Sequence, residues 1–371
     1  MEAGRGKGER AQFSSFILRL QWIGTIRADF CYNGAMIIHD RLYGATTITE
    51  PVLLDLLKTD TLQRLAGVLQ HGVSALVGVT SRTSRLEHSI GAMLLVRRLG
   101  ADLPEQIAAL LHDISHTAMS HVIDYVYARH HSQSYHDERK EWFVAQSEIP
   151  ALLTRYGYDW QALLHEENFA LLEQPAPALC ADRLDYFLRD GYDLGVLDQA
   201  TIDAILHHLT RVAGRMAIAD VAVARQLAYG FLAADDASWS NFREVGLYEL
   251  TAQALRLALT NGLITEADLW GTDEALWRAL YQSPNPTLHY YLRFVDQRTE
   301  FVCDAAAPTF TVTTKIRTLD PAVYQAGQVV SFSALDPTFA AYRQTYLAQK
   351  QGPWPIRVVG FHPPMGEGAL A

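Results

Sequence analysis

A histidine-rich stretch within two apolar helical segments constrains this chain more than any other feature. Apolar residues recur at helical spacing over residues 84–100 and again over residues 104–113. His88 lies near the start of the first predicted helix, and the pair His112 and Asp113 lies at the end of the second. A buried imidazole or carboxylate needs a hydrogen-bond partner or a metal ion, because burying an unpaired polar group is costly.

These three side chains meet if the two predicted helices run antiparallel, and a metal ion would then need about one more ligand. Residues 181–195 offer it, because Asp182 is followed at helical spacing by Asp185 and Tyr186 on the same helix face. The sequence therefore predicts a metal site formed by His88, His112, Asp113 and Asp182. Any one of these histidines alone would more often be a core residue with a protein partner than a ligand.

Three motifs, RLEHSIG, LLHDISHTAMSH and DRLDYFLRD, occur in this order within residues 85–190. In order and rough spacing they resemble the HD-domain metal-dependent phosphohydrolases, and in particular the deoxynucleoside triphosphate triphosphohydrolases and their bacterial relatives. The resemblance covers residues 38–195 well and the rest loosely. It implies hydrolysis of a deoxynucleoside triphosphate to deoxynucleoside and triphosphate, with a nucleotide as the substrate.

The resemblance also implies roles for residues outside the ligand set. His121 would protonate the leaving group, with the ordinary imidazole pKa of about 6.5. His136 would face the substrate, and His116 would serve phosphate or a second metal. The expected substrate contacts are Arg85 for phosphate, Arg183 where the branch often has lysine, Gln70 for the sugar, and Tyr186 with Asp190 as a sugar-facing pair. For Gln70 an exposed loop position is the alternative.

The mixed nitrogen and oxygen donors suit a divalent transition metal, namely Mn²⁺, Fe²⁺, Co²⁺, Ni²⁺ or Zn²⁺, and an additional Mg²⁺ on the substrate phosphates is compatible with this chemistry. Such an ion acidifies a bound water and polarises a phosphoryl group. The absence of thiolates among the predicted ligands argues against a structural zinc site.

Composition narrows the class of protein. The formal charge of −10 argues against nucleic acid as the main partner, since nonspecific binding to it draws on a basic surface. Three scattered cysteines argue against a disulfide framework, and no apolar run reaches membrane-spanning length. We expect a cytoplasmic protein without a membrane partner, and a homo-oligomer is compatible with the sequence.

Helical periodicity dominates residues 84–300, so we predict a mainly α fold with an HD-domain helical core and small β elements near the N-terminus and in the C-terminal region. The expected organisation is a flexible segment at 1–24, a catalytic core at 25–200, and a helical extension with a small β element at 201–371. Strands are predicted at 36–39 and 46–49. A single small C-terminal sheet is predicted from residues 310–316, 329–332 and 355–359.

Departures from the family pattern leave alternatives open. The family usually has glycine-histidine and then glycine-proline-phenylalanine-serine-histidine after the HD pair, whereas this chain has SHTAMSH at 115–121. The alternatives are a nucleotide phosphatase or phosphodiesterase of the same superfamily, an HD-type di-iron oxygenase, and a binding protein that senses nucleotide. A sensor would be expected to lack a ligand, and none of the four is missing.

Overall fold

The computed structural model describes residues 18–19, 27–30 and 34–362. The predicted flexible segment, residues 1–24, lies outside the described residues except for the short strand Leu18–Arg19. The helices are α1 (Pro51–Leu56), α2 (Asp60–Gln63), α3 (Val73–Leu76), α4 (Arg85–Arg98), α5 (Leu103–Leu111), α6 (Val122–Val126), α7 (Tyr135–Val144), α8 (Ile149–Arg155), α9 (Trp160–Leu163), α10 (Ala181–Asp193), α11 (Gln199–His208), α12 (Val221–Ala234), α13 (Phe242–Thr260), α14 (Glu266–Leu269), α15 (Asp273–Gln282), α16 (Pro286–Leu292), α17 (Phe332–Leu335) and α18 (Pro337–Lys350). A π-helical turn, Asp235–Trp239, follows α12 directly. The prediction of a mainly α protein is confirmed.

Short strands form three small sheets. The strands are β1 (Leu18–Arg19), β2 (Arg27–Phe30), β3 (Met36–Asp40), β4 (Gly44–Ile48), β5 (Leu209–Val212), β6 (Arg215–Ile218), β7 (Phe301–Cys303), β8 (Phe310–Val312), β9 (Ala322–Gln325), β10 (Gln328–Ser331) and β11 (Trp354–Val358). The N-terminal sheet has the order β1-β2-β3-β4, the second β10-β9-β6-β5 and the third β7-β11-β8. All pairs are antiparallel except β6 with β9.

The predicted strands near the N-terminus are present, as β3 and β4, but the prediction of one C-terminal sheet is wrong. The predicted strands 310–316 and 355–359 pair with each other as β8 and β11, whereas the strand at 329–332 joins a different sheet as β10. That sheet is completed by the hairpin β5–β6, for which the sequence analysis predicted no strands. Each of these strands has five residues or fewer, so too few residues alternate to show which strand is its partner.

Local sequence explains why α4 and α5 begin where they do. Ser84 and Glu87 form a reciprocal capping box at the start of α4, which satisfies two backbone N–H groups that would otherwise lack partners. The side chain of Asp102 caps α5, whose second residue is Pro104. Because α5 ends at Leu111, His112 and Asp113 lie just beyond its last turn. The start of α4 lies beside the end of α5, as expected for an antiparallel pair, since His88 and His112 are in contact.

Close packing of α4 against α10 depends on Gly91. A Cβ atom at this position would lie 1.9 Å from Asp185 Oδ1 and 2.3 Å from Arg189 Nη2, both on α10. The glycine thus allows two charged side chains of α10 to pass directly beneath α4. This approach brings the carboxylates of α10 to the histidine of α4.

Two hydrophobic clusters form the core. The first contains buried residues of α4, α5, α10, α11 and α12 together with the N-terminal sheet and β9. The second contains residues of α6, α13, α15 and α16 together with β8 and β11. Both clusters join residues from either side of position 200, so the division of the chain at that point stays a prediction. Among the helices of the described residues, none is both long and apolar enough to cross a membrane.

Candidate metal centre and reaction cavity

The four predicted metal ligands, here called the metal-ligand set, lie where α4, α5 and α10 meet. His88 is in the first turn of α4, His112 and Asp113 follow α5, and Asp182 is in the first turn of α10. Ligand atoms of His88, His112 and Asp113 all lie within 4.8 Å of one another. The Asp182 Oδ1 atom is 2.9 Å from His88 Nε2 and 3.6 Å from His112 Nε2. The fold therefore brings all four side chains to one point.

The arrangement of the His88 and His112 imidazoles shows whether a cation fits between them. His112 Nδ1 donates to the Ala109 carbonyl oxygen at 2.7 Å, and His88 Nδ1 donates to the Asp185 carboxylate at 2.7 Å. In neutral rings protonated at Nδ1, both Nε2 atoms present lone pairs, and these atoms are 3.1 Å apart. Two ligand atoms at right angles, each about 2.1 Å from one ion, are also about 3 Å apart. The donor atoms and their spacing therefore fit a divalent metal ion.

Carboxylates around these rings favour positive charge. Burial lowers the pKa of His112, but Asp113 and Asp182 more than offset this effect and raise it to about 10. Burial also lowers the pKa of His88, and hydrogen bonds to Asp182 and Asp185 reverse the direction and raise it. The same carboxylates that favour a protonated ring would favour a metal cation between the rings.

A series of buried charged side chains orients the His88 ring through its Nδ1 atom. Asp185 accepts from His88 Nδ1 and, at 2.9 Å, from Arg189 Nε, while Arg189 Nη2 donates to Asp40 Oδ2 at 2.7 Å. Tyr43 Oη donates to the other Asp185 oxygen at 2.7 Å. Side chains of Asp40, Asp185 and Arg189 are completely buried. Asp185 shares the helix face of Asp182 but has no role that its motif predicts, and Asp40 and Tyr43 come from a distant strand and turn.

A second group of imidazoles, the histidine triad of His116, His121 and His136, borders the metal-ligand set. His116 and His136 stack with ring centroids 3.8 Å apart, and the His121 ring meets His116 edge-on at 5.1 Å. His116 Nε2 is 3.2 Å from Asp113 Oδ1, so the two groups are in direct contact. His121 Nδ1 is 3.0 Å from Asp124 Oδ2, and burial raises the pKa of that carboxyl to about 6. Asp124 is a second orienting residue that the sequence analysis missed.

The electrostatic surroundings of the triad are the reverse of those of the metal-ligand set. Burial, together with Arg85 and Arg317, holds the pKa of His121 well below its ordinary value. Burial lowers the pKa of His136 to about 4 and that of His116 well below 6.5. The triad is therefore neutral near pH 7. The ordinary imidazole pKa assumed for His121 from the sequence does not hold in this environment.

Both groups open into one cavity of about 620 Å³. Its lining includes every predicted site residue except His88, which lies beneath the other ligands: Gln70, Arg85, His112, Asp113, His116, His121, His136, Asp182, Arg183, Tyr186 and Asp190. The fold thus gathers predicted residues from five separate segments around a space large enough for a small organic ligand.

Arg85 and Gln70 are linked through the backbone. The Arg85 guanidinium donates to Asp113 Oδ2 at 2.8 Å, to Ser120 Oγ at 3.1 Å and to the Gln70 carbonyl oxygen at 3.2 Å. Arg85, predicted as a phosphate contact, is therefore engaged in holding a predicted ligand and a cavity loop. The Gln70 side-chain oxygen is buried and has no hydrogen-bond partner in the described protein.

Arg183, predicted to contact phosphate, is also engaged with protein groups. Its Nη1 atom donates to the Ala178 carbonyl oxygen at 2.5 Å, and its Nη2 atom lies 3.5 Å from Glu173 Oε1. The side chain lines the cavity, so its charge is felt there, although its donors are directed at the chain itself.

The predicted sugar-facing pair is held by two residues that the sequence analysis did not select. Tyr186 meets the Trp239 ring edge-on at 5.0 Å. Asp190 accepts from Trp239 Nε1 at 2.8 Å and lies 2.9 Å from His71 Nε2. Trp239 and His71 have no motif around them that would reveal a site, although His71 adjoins the predicted Gln70.

Two cations from the segment that follows β8 complete the cavity. The strand β8 ends at Val312, and the side chains of Lys315 and Arg317 line the cavity. Arg317 Nη2 donates to Gln133 Oε1 at 2.6 Å, which fixes the guanidinium at the wall.

Comparisons with known proteins agree with this geometry. The model of the HD domain family matches residues 85–190. The metal-dependent phosphohydrolase cns2 of Cordyceps militaris is 37% identical over 327 residues, which cover 86% of this chain and 94% of the relative. Human SAMHD1, a deoxynucleoside triphosphate triphosphohydrolase, is 26% identical over 239 residues, which cover 51% of this chain and 37% of the relative.

The fold is also found in a solved structure. A phosphohydrolase from Bacteroides thetaiotaomicron superposes with a TM-score of 0.61 at 18% sequence identity, covering 87% of this chain and 98% of that one. This likeness extends to the C-terminal half, well beyond the residues that the family model matches. The alignment with cns2 likewise spans nearly the whole of both chains, whereas the alignment with SAMHD1 is limited to about half of this chain.

Proposed function

This chain belongs to the HD-domain family of metal-dependent phosphohydrolases, and from that premise we propose that it hydrolyses nucleotides, with deoxynucleoside triphosphates as the first candidate substrates. The proposed products are deoxynucleoside and triphosphate. One cavity of about 620 Å³ that contains both the metal-ligand set and the histidine triad supports the proposal. The similarity to human SAMHD1, which is named for this reaction, supports the choice of substrate.

The metal-ligand set would hold one divalent transition metal, and its nitrogen and oxygen donors suit Mn²⁺, Fe²⁺, Co²⁺, Ni²⁺ or Zn²⁺. When bound, such an ion lowers the pKa of a water molecule and polarises the phosphoryl group. Arg85 fixes the Asp113 carboxylate through a 2.8 Å bond, and Asp185 fixes the ring of His88. Partners of this kind orient ligands and strengthen metal binding.

His121 is the proposed proton donor to the leaving oxygen. In the free protein its ring is neutral, because burial and nearby cations lower its pKa. A phosphate group bound beside the triad adds negative charge, which favours the imidazolium and raises that pKa. Asp124, 3.0 Å from Nδ1, orients the ring and stabilises its charged form. His116 and His136 pack against the ring.

Contacts to the rest of the nucleotide are assigned to the cavity walls. Lys315 and Arg317 supply positive charge for phosphate oxygens. Tyr186 and Trp239 supply an aromatic surface for the sugar and base, and the unpartnered Gln70 side-chain oxygen is free to accept a sugar hydroxyl.

Arg183 and Asp190 complete the proposed substrate set, each with a protein partner already in place. Arg183 adds positive charge beside Asp182. The hydrogen bond from Arg183 to the Ala178 carbonyl oxygen keeps this guanidinium at a fixed position. Asp190, held by Trp239 and His71, presents a carboxylate on the same wall as Tyr186.

A nucleotide of lower charge, a nucleoside monophosphate or a phosphodiester, is the second candidate, because most cations of the cavity are already paired. Three of them have a carboxylate partner: Lys140 with Glu166, Arg183 with Glu173 and Arg85 with Asp113. Among the lining residues that the structure describes, Lys315 and Arg317 have no carboxylate within ion-pair distance. Two unpaired cations match the charge of a monoester better than that of a triphosphate, unless Mg²⁺ accompanies the phosphates.

The test is a substrate panel assayed with protein loaded separately with each of the five metals. Deoxynucleoside triphosphates, ribonucleoside triphosphates, nucleoside monophosphates and cyclic phosphodiesters are incubated with and without Mg²⁺, and the products are separated by chromatography. Release of intact triphosphate supports the first candidate, and release of orthophosphate from monophosphates or opening of a diester supports the second. Turnover of no nucleotide with any metal, or equal turnover by an Asp113→Ala preparation, would overturn the proposal.

A further inference from the structure

A single carboxylate from the C-terminal half of the chain holds two segments of the cavity wall together. Asp273, the first residue of α15, accepts the Met119 backbone N–H at 2.7 Å through Oδ1 and the Leu69 backbone N–H at 2.9 Å through Oδ2. Asp273 is 1% exposed and lies 154 residues beyond Met119 along the chain. It thus bridges the loop that contains Gln70 and the turn that precedes His121.

The turn needs such support because of its backbone conformation. Met119 and Ser120 have φ angles of 61° and 49°, so two consecutive residues with side chains adopt the left-handed region. This conformation is unfavourable for such residues and persists only where the surroundings enforce it.

Further contacts join the loop to the turn. Ser120 Oγ donates to the Leu69 carbonyl oxygen at 2.6 Å. A Cβ atom at Gly72, which itself has a φ of 49°, would lie 2.2 Å from the Met119 carbonyl oxygen, so the two backbones are in direct contact. The backbone N–H of Ala118 donates to the carbonyl oxygen of Leu269 at 2.8 Å, and Leu269 lies shortly before Asp273 in the chain.

The carboxylate is kept in an environment that does not favour its charge. Burial raises the pKa of Asp273 to about 6, although the N–H groups of Met119 and Leu69 lower it. A neutral side chain would avoid this cost, but a carboxylate has two oxygens that can each accept a backbone N–H. Both oxygens are used in this way, one for each segment.

We propose that Asp273 is a positioning residue that sets His121 and Gln70 relative to the metal-ligand set. Met119 lies two residues before His121, and Leu69 directly precedes Gln70, so a shift of either bonded backbone displaces a cavity side chain. The inference rests on the proposed function for the roles of His121 and Gln70. The linkage of the two segments through Asp273 is independent of those roles.

The experiment compares Asp273→Ala and Asp273→Asn with Glu274→Gln, a matched control at the adjacent exposed carboxylate. Turnover and KM are measured on the nucleotide that the wild type hydrolyses best, metal affinity by titration, and local opening by hydrogen–deuterium exchange. For Asp273→Ala we expect kcat to fall by up to roughly 10²-fold, the loss that a displacement of about 1 Å can cause. Metal affinity should be unchanged, and exchange should accelerate at residues 69–72 and 118–122 but not in α4 or α10.

Asp273→Asn keeps the shape of the side chain and the protein folded, but replaces one acceptor with a donor, so it should show the same pattern with a smaller loss of kcat. Wild-type turnover and exchange in Asp273→Asn would overturn the inference. Acceleration of exchange throughout the protein with parallel loss of metal would also overturn it, because Asp273 would then support the whole fold. If the wild type hydrolyses no nucleotide, the proposed function fails while the exchange data still decide whether Asp273 links the two segments.

Discussion

The metal-ligand set and the histidine triad are two groups of imidazoles in one cavity, and the protein gives them opposite surroundings. Carboxylates flank His88 and His112 and raise their pKa values. Burial and the guanidinium of Arg85 dominate around His116 and His121 and lower theirs. The imidazole is thus favoured with positive charge in one group and in its neutral form in the other.

The two groups also differ in how they are held. His88 is fixed by Asp185, which is fixed in turn by Arg189, and both lie on the long helix α10. His121 belongs to a short turn that is secured by Asp124 and, through the adjacent backbone, by Asp273. A metal site requires a fixed arrangement of donors, whereas a proton donor needs only one well-placed ring. The contrast predicts that substitutions in the two groups have separable effects on metal binding and turnover.

The largest effect is expected for Asp113→Ala. This substitution removes a predicted ligand and leaves the buried guanidinium of Arg85 without its carboxylate partner. Elemental analysis should find little bound metal, and hydrolysis should be essentially lost. Asp203→Ala, at an exposed carboxylate on α11, is the control and should keep both properties. Wild-type metal content in the Asp113→Ala protein would contradict the ligand assignment.

A smaller but still large effect is expected for His121→Ala. The variant should keep normal metal content and substrate binding while kcat falls by roughly 10²–10⁴-fold, the usual contribution of a general acid. The loss should shrink for p-nitrophenyl esters, whose leaving group needs no proton. His131→Ala, at an exposed histidine, should behave as the wild type.

Each contrary outcome for His121→Ala has a definite meaning. Loss of metal would make His121 a ligand, and the comparison between the two groups would no longer hold. Unchanged turnover would move the acid role to His136, whose ring lies 5.6 Å from that of His121.

The contrast between the two groups also explains what the sequence could predict. His88, His112 and Asp182 each lie at the end of a helix with a regular apolar pattern and each belongs to a short motif, so the sequence alone could select them. Asp40 is 149 residues from its partner Arg189 along the chain, and Asp273 is 154 residues from its partner Met119. Neither lies in a motif, and such distant contacts depend on how the elements pack. The lowered pKa of His121 has the same origin, since its burial and its proximity to Arg85 and Arg317 depend on how separate segments pack.

The fold shows the same division between local and distant information. Helices such as α4 and α5 have apolar periodicity and capping residues, and their bounds fall close to the predicted ones. The hairpin β5–β6 is only four residues on each side and gains a partner from β9, more than one hundred residues later. No local pattern specifies that pairing, which is why the C-terminal strands were assigned to one sheet.

An intermediate effect is expected for Asp185→Asn, which tests the residue behind His88 without removing a ligand. The amide keeps the volume of the side chain but lacks the charge that offsets Arg189 and orients the His88 ring. Metal affinity should fall by about 10–100-fold, as for other partners of metal-binding histidines. At saturating metal, kcat should recover to near the wild-type value, because the triad is unaffected. A persistent loss of kcat at saturating metal would show that the two groups are not separable; Asp203→Asn is the matched control.

The smallest effect is expected for Tyr43→Phe, which removes one hydrogen bond from the same chain of side chains. Tyr43 Oη donates to Asp185 Oδ1 at 2.7 Å, whereas the other oxygen of Asp185 is bonded to His88 and Arg189. Loss of one such hydrogen bond costs about 1 kcal/mol, so metal affinity should fall by no more than about fivefold. Titration of the variant beside Tyr324→Phe, an exposed tyrosine on β9, measures that difference. A loss as large as that of Asp185→Asn would mean that the aspartate cannot keep its orientation without Tyr43, and that the N-terminal sheet is part of the metal site.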